Sequence, residues 1–135
     1  MPLKAYKNMN AYKLFVLDVG LLGAMSELPA ESILEGNDIF VEFKGALTEQ
    51  YVLQQLISDT PYTPYYYGNE KATFEQDFLV QKAKSIVPIE VKAEQNIRSH
   101  SLKTYCEKFQ PEEAVRFSTL KYKEQEWMVN IPLYA

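Results

Sequence analysis

A single cysteine, a single histidine and no long apolar run remove most of the usual markers of function from this 135-residue chain. Cys106 alone excludes an internal disulfide and any multi-cysteine zinc site. His100 alone excludes His-pair metal motifs; it could serve a catalytic triad only as its one base, and no nucleophile-elbow sequence accompanies it. No stretch of about twenty apolar residues occurs, so no transmembrane helix is expected. The opening Met-Pro-Leu-Lys-Ala-Tyr-Lys lacks the apolar core of a signal peptide, which points to a cytoplasmic protein. A net charge of −4 argues against broad coating of nucleic acid but permits a local basic groove. Any chemistry must come mainly from carboxylates and lysines.

What the chain does have is enough apolar matter for one real core, with 47% hydrophobic residues against 24% charged. Ala11–Asp18 is a short apolar run that reads as a strand, Gly20–Met25 as a helical turn and Ser26–Asn37 as a loop. Residues 1–37 thus form an N-terminal strand-and-turn extension, and 38–135 a domain. In that domain Gly45–Asp59 reads as a helix, with Val52, Leu53, Leu56 and Ile57 at helical spacing. Glu49 lies on or beside this stripe, where a carboxylate is costly without a partner or a metal, unless it is simply a first-turn residue favoured by the helix dipole. Thr60–Lys71 reads as an edge strand entered by prolines and ended by a Gly-Asn turn. Its tyrosines suit amphipathic packing better than stacking on unpaired bases. Ala93–Arg98 is a polar connection and Ser99–Phe109 a second helix, with Cys106 on its apolar side as core filler. Ala114–Ser118 and Glu126–Asn130 read as further strands.

The centre of the domain is Phe74–Lys92. Phe74, Phe78 and Val80 alternate with Glu75, Asp77 and the exception Leu79 in its first half, and Val87, Ile89 and Val91 with Pro88, Glu90 and Lys92 in its second, the period of half-buried strands. A four-residue loop at Lys82–Ser85 pairs Val80 with Val87 and Phe78 with Ile89. The same register sets Asp77 opposite Glu90, with Lys92 two residues along, and a slip by one would set apolar against polar throughout. Two carboxylates and an ammonium therefore converge on one sheet face. The same three residues would also suit a cross-strand ion-pair group on a solvated face.

From Gly45 the order is helix, strand, strand, strand, helix, strand. With Glu49 in the first helix, Asp77 on the second strand and Glu90-Val91-Lys92 on the third, this order resembles the PD-(D/E)XK nuclease superfamily. Gln76 stands where the motif's proline would be. The resemblance implies an α/β (α+β) fold with a restriction-endonuclease-like core, a mixed sheet flanked by helices. A second resemblance covers nearly the whole chain, through Tyr12–Leu22, Lys44–Leu56, Glu75-Gln-Asp-Phe78, Pro88–Lys92 and Asn130–Tyr134. It is similar to the C-terminal domain of unknown function that follows an AAA-type ATPase module. No phosphate-cradling Gly-x-x-x-x-Gly-Lys-Ser/Thr occurs here, so the ATPase portion is not expected within these residues.

These resemblances imply a metal-dependent DNA endonuclease-like site. Asp77 and Glu90 would ligate Mg²⁺ or Mn²⁺, with the Val91 carbonyl as a further ligand. Lys92 would orient or help deprotonate the attacking water and stabilise the developing charge. Glu49 would complete the set through water or a second ion, and Glu75 would stand farther out. Lys82, Lys84, Arg98, Lys103 and Lys108 are the candidate phosphate contacts. The other reading is a noncatalytic module that binds nucleic acid or a protein partner on behalf of an ATPase.

Overall fold

The hairpin expected at Phe74–Lys92 is the middle of a six-stranded mixed sheet. The computed structural model describes residues 2–27, 38–68, 74–93 and 99–135, with backbone alone for 38–42. Its helices are α1 (Val19–Met25), α2 (Asp38–Asp59) and α3 (His100–Phe109). Its strands are β1 (Tyr65–Gly68), β2 (Glu75–Lys82), β3 (Ser85–Lys92), β4 (Val115–Ser118), β5 (Lys123–Glu124) and β6 (Val129–Pro132). In space they run β1-β2-β3-β4-β6-β5. The β1/β2, β2/β3 and β5/β6 pairs are antiparallel, and β3/β4 and β4/β6 are parallel. From α2 onward the elements run helix, three strands, helix and three strands, where the sequence reading has two strands after the second helix. The fold is mixed α+β.

Each sheet face has its own helix. Val52, Leu53 and Leu56 of α2 bury against Phe78 and Val80 of β2 and Val87 and Ile89 of β3, with Val91, Val115 and Phe117 packed beside them. On the other side Leu102, fully buried in α3, meets Ala114 and Met128, with Cys106 against them. Burial of each large apolar side chain contributes about 1.5–3 kcal/mol, so these two clusters hold the layers together. Tyr67 of β1 packs edge-on to Tyr105 and Phe109 of α3, with ring centroids 5.5 Å away in both cases. That tyrosine is packing material, as its strand position suggested.

The hairpin register is as expected: Val80 pairs with Val87 and Phe78 with Ile89. The turn is shorter, because Lys82 and Ser85 also pair and only Ala83 and Lys84 remain between the strands. Ala83 adopts φ 54°, in the left-handed region that glycine enters without a Cβ clash. Ala83→Gly is therefore expected to stabilise the fold by about 1 kcal/mol, raising the melting temperature by about 3 °C. An unchanged or lower melting temperature by circular dichroism would count against strain at this turn.

Four further expectations change. Ala11–Asp18 is not a strand; its extended backbone bonds to side chains of α2 instead, as described below. The helix expected from Gly45 begins at Asp38, so Glu49 is mid-helix and its first-turn dipole role falls away. The last strand is displaced to Val129–Pro132, where Val129 N–H donates to the Ala114 carbonyl. Finally, β2 does not alternate simply. Tyr65 pairs with Leu79 but Tyr67 with Gln76, so β2 carries one extra residue, a bulge that reverses the alternation before it. The loop expected over Ser26–Asn37 beyond Glu27, the Gly-Asn turn with the strand's end up to Lys71, and the connection to Arg98 lie outside the described residues.

Candidate functional site

The sequence reading sets Asp77 opposite Glu90, but the β2–β3 register runs from Phe78 and Ile89 to Lys82 and Ser85 and does not include that pair, and the bulge lies at Asp77. Asp77 lies within the bulged stretch, and its Oδ2 accepts the backbone N–H of Val91 on β3 at 2.8 Å. Glu90, on β3, is 3% exposed, and its Oε1 stands 3.4 Å from Lys92 Nζ. Glu90 Oε2 is buried with no hydrogen-bond donor among the described residues. A buried carboxylate oxygen left so is costly, and ordinary folding would have supplied a donor. Gln76 shares the property: its Nε2 donates to the Ile89 carbonyl at 2.7 Å, while its buried Oε1 has no donor among the described residues.

Glu90 begins a buried polar row. Its register neighbour on β4 is Arg116, whose neighbour on β6 is Asn130. Arg116 Nε donates to Asn130 Oδ1 at 2.9 Å and Nη1 to Ser99 Oγ at 3.0 Å, and Ser118 Oγ donates to the same Asn130 oxygen at 2.7 Å. This row stiffens the parallel half of the sheet beside Glu90. It was not legible in the sequence, because neither strand order nor parallel register can be read from a run of four residues.

Glu49 is brought near but not in. Lys13 Nζ, from the segment before α1, stands 2.8 Å from Glu49 Oε1 and 2.5 Å from Glu75 Oε1. Lys13 lies 5.4 Å from the centroid of the Tyr66 ring. Sequence reasoning passed over this lysine; the only signal was its place in an apolar run, where a charge needs a partner.

Electrostatics mark Asp77 out. Burial pushes its carboxyl up to about 6; the Val91 N–H pulls it down, Glu49 pushes it up, Lys13 pulls it down and Glu90 pushes it up. Asp77 is thus within electrostatic reach of both other acids. Cys106 has its thiol pushed up to about 11 by burial and by Glu90 and Glu107, which makes it inert core filler as expected. Lys82 is paired with Glu113 at 3.0 Å and Lys103 with Glu107 at 4.0 Å, so both have a carboxylate where a phosphate contact was considered.

A hard divalent cation fits part of this arrangement. Asp77 and Glu90 offer carboxylate oxygens, and Glu90 Oε2 has no hydrogen-bond donor among the described residues, but Lys92 stands 3.4 Å from Glu90 Oε1 and Arg116 lies beside Glu90 on β4. Glu49 is held by Lys13, and among the described residues no three His, Cys, Asp or Glu side chains gather in a metal-holding geometry. Val91 contributes its N–H to Asp77 from the same strand as Glu90 and Lys92.

The family model "Domain of unknown function (DUF4143)" matches residues 44–134. The chain belongs to this family. No curated protein and no solved structure matches it. The span that matches DUF4143 includes Glu49, Asp77, Glu90 and Lys92, whereas Lys13 precedes it. No described helix of this DUF4143 protein is long and apolar enough to cross a membrane.

Proposed function

We propose that this DUF4143 domain is a divalent-cation-dependent phosphodiesterase of the PD-(D/E)XK type acting on DNA, in a family that works beside an AAA-type ATPase module. The observation that carries the reading is the buried Glu90 carboxylate: one oxygen meets Lys92, the other has no donor among the described residues, and Asp77 is bonded to the adjoining peptide. A structural ion pair would satisfy both oxygens.

In this reading Asp77 and Glu90 hold Mg²⁺ or Mn²⁺, and Glu49 supports the set. The bound cation supplies neutralisation of the phosphoryl oxygens and acidifies the nucleophile. Lys92, half-exposed beside Glu90, donates hydrogen bonds to the attacking water and to the charge that develops on phosphorus oxygens. Water adds to phosphorus, the bond to the leaving oxygen breaks, and protons exchange with solvent. The Asp77–Val91 hydrogen bond and the Glu90–Arg116–Asn130 row keep the donors from shifting during the step.

The test is incubation of the purified protein with Mn²⁺ or Mg²⁺ and single-stranded, duplex and branched DNA. Metal-dependent cleavage is expected, and it disappears in Lys92→Ala and Asp77→Ala with their melting transitions intact. No cleavage by the wild type, or cleavage that survives in Asp77→Ala, would overturn the reading. A second reading, a noncatalytic binding module, is favoured by one observation: Lys13 already neutralises Glu49 and Glu75. It predicts DNA or protein binding with no cleavage under any metal.

A further inference from the structure

The N-terminal segment is pinned to the domain in two places. Leu3 N–H donates to Gln81 Oε1 on β2 at 2.9 Å. Farther along, the segment is latched to α2, because Gln50 accepts from Val16 N–H at 3.0 Å and donates to the Val16 carbonyl at 2.9 Å. Gln54 Oε1 accepts from Val19 N–H at 3.1 Å, and the Phe15 ring packs against Phe78 with centroids 5.9 Å apart. Between the two pins the segment and β1 enclose a cleft of about 570 Å³. Sites that hold organic ligands span about 300–1,000 Å³.

The lining of this cleft is aromatic and basic. Tyr6, Lys7, Tyr12 and Lys13 face it from the segment, and Tyr65 and Tyr66 from β1. Among the described residues no Asp or Glu lines it. Residues 1–17 carry three lysines and no acidic residue, in a chain whose net charge is −4. Lys13 is already committed, since Glu49 and Glu75 hold its ammonium. Lys7 is exposed and has no carboxylate partner among the described residues. Tyr6 and Tyr12 are 67% and 71% exposed, whereas Tyr105, a packed ring, is 5% exposed.

We propose that this cleft binds an unpaired nucleic-acid strand, with bases stacked on Tyr6 and Tyr12 and a phosphate at Lys7. Every base has a π face, so stacking on an open tyrosine ring needs no particular sequence. A phosphate beside Lys7 releases condensed counterions, and a lining without carboxylates spares the strand the repulsion that the net charge imposes elsewhere. A duplex keeps its bases within the helix, so it reaches the lysine but not the rings. An acidic peptide likewise meets the lysine and leaves both rings unused. The inference goes beyond the cation reading above and requires neither the ion nor cleavage.

Fluorescence anisotropy of the full chain tests this, with a labelled thymidine oligonucleotide of roughly twelve nucleotides and a chelator in the buffer. Wild type is expected to bind this strand, and to bind a duplex or an abasic strand of the same length on the order of tenfold more weakly. Tyr12→Ala is expected to weaken binding on the order of tenfold with the salt dependence unchanged. Tyr6→Ala is the second variant, so that one misfolded protein does not decide the matter, and circular dichroism checks each. Lys7→Ala is expected to lower the slope of log affinity against log salt by about 0.7. Lys123→Ala, on the strand at the opposite edge of the sheet, is expected to leave that slope unchanged. No binding by wild type, folded tyrosine variants that bind as wild type does, or equal affinity for the abasic strand would each overturn the proposal. So would an equal change of slope in Lys7→Ala and Lys123→Ala. Because the chelator removes divalent ions, failure here leaves the cation reading standing, and failure of cleavage leaves the cleft.

Discussion

Asp77→Asn should make the metal-free protein more stable near neutral pH, by about 2–3 kcal/mol, while it removes divalent-ion binding. The carboxyl is held at about 6 in the folded protein, chiefly by burial, against an ordinary value of 3.8. A folded value raised above the unfolded one means that folding penalises the ionised form. The penalty is full above about pH 6 and absent below about pH 4, where Asp77 is protonated in both states. Asn resembles the protonated acid in shape and charge and still offers an oxygen to the Val91 N–H. The stability gap between Asp77→Asn and wild type is therefore expected to be widest at neutral pH and to close as the pH falls from about 6 to about 4. Chemical denaturation of both proteins across that range measures it. An Asp77→Asn protein less stable than wild type at neutral pH would mean that the carboxylate is a structural ion-pair member. Adding Mn²⁺ should reverse the order, because only wild type gains binding free energy in the folded state.

Gln50→Leu is expected to detach the N-terminal segment from α2. The residue is 2% exposed, and its amide serves both polar groups of Val16. Leu fills similar space but offers no partner, so two backbone groups lose hydrogen bonds at about 1–3 kcal/mol each unless the segment swings into water. The predicted outcome is loss of most amide protection around Val16, with the amides of β2 and β3 still slow to exchange. Wild-type protection at Val16 would show that the latch lies elsewhere, in Phe15 or Gln54.

Both expectations depend on contacts of different legibility. The β2–β3 register followed from sequence alone, because a hairpin pairs residues of constant sum and alternation penalises every slip. The Glu90–Lys92 proximity followed from the same strand period. The helices at Gly45–Asp59 and Ser99–Phe109 were likewise legible from apolar spacing, though α2 starts earlier, at Asp38. Ala11–Asp18 misled, since an apolar run reads as a strand whether its backbone partners are another strand or, as here, a glutamine side chain.

By itself, then, the sequence determined the hairpin register from Phe78 to Val87 and the set of carboxylates available, because each of these is written in neighbours a few positions apart. Only the tertiary structure decided three other things: the β2 bulge that brings Glu75 to the α2 side, the parallel row from Glu90 to Asn130, and the capture of Glu49 by Lys13 across 36 positions of chain. The physical reason is shared. Periodicity reports which way a side chain points along its own element, whereas a charge finds its partner through space, wherever packing of the remaining chain brings one within reach.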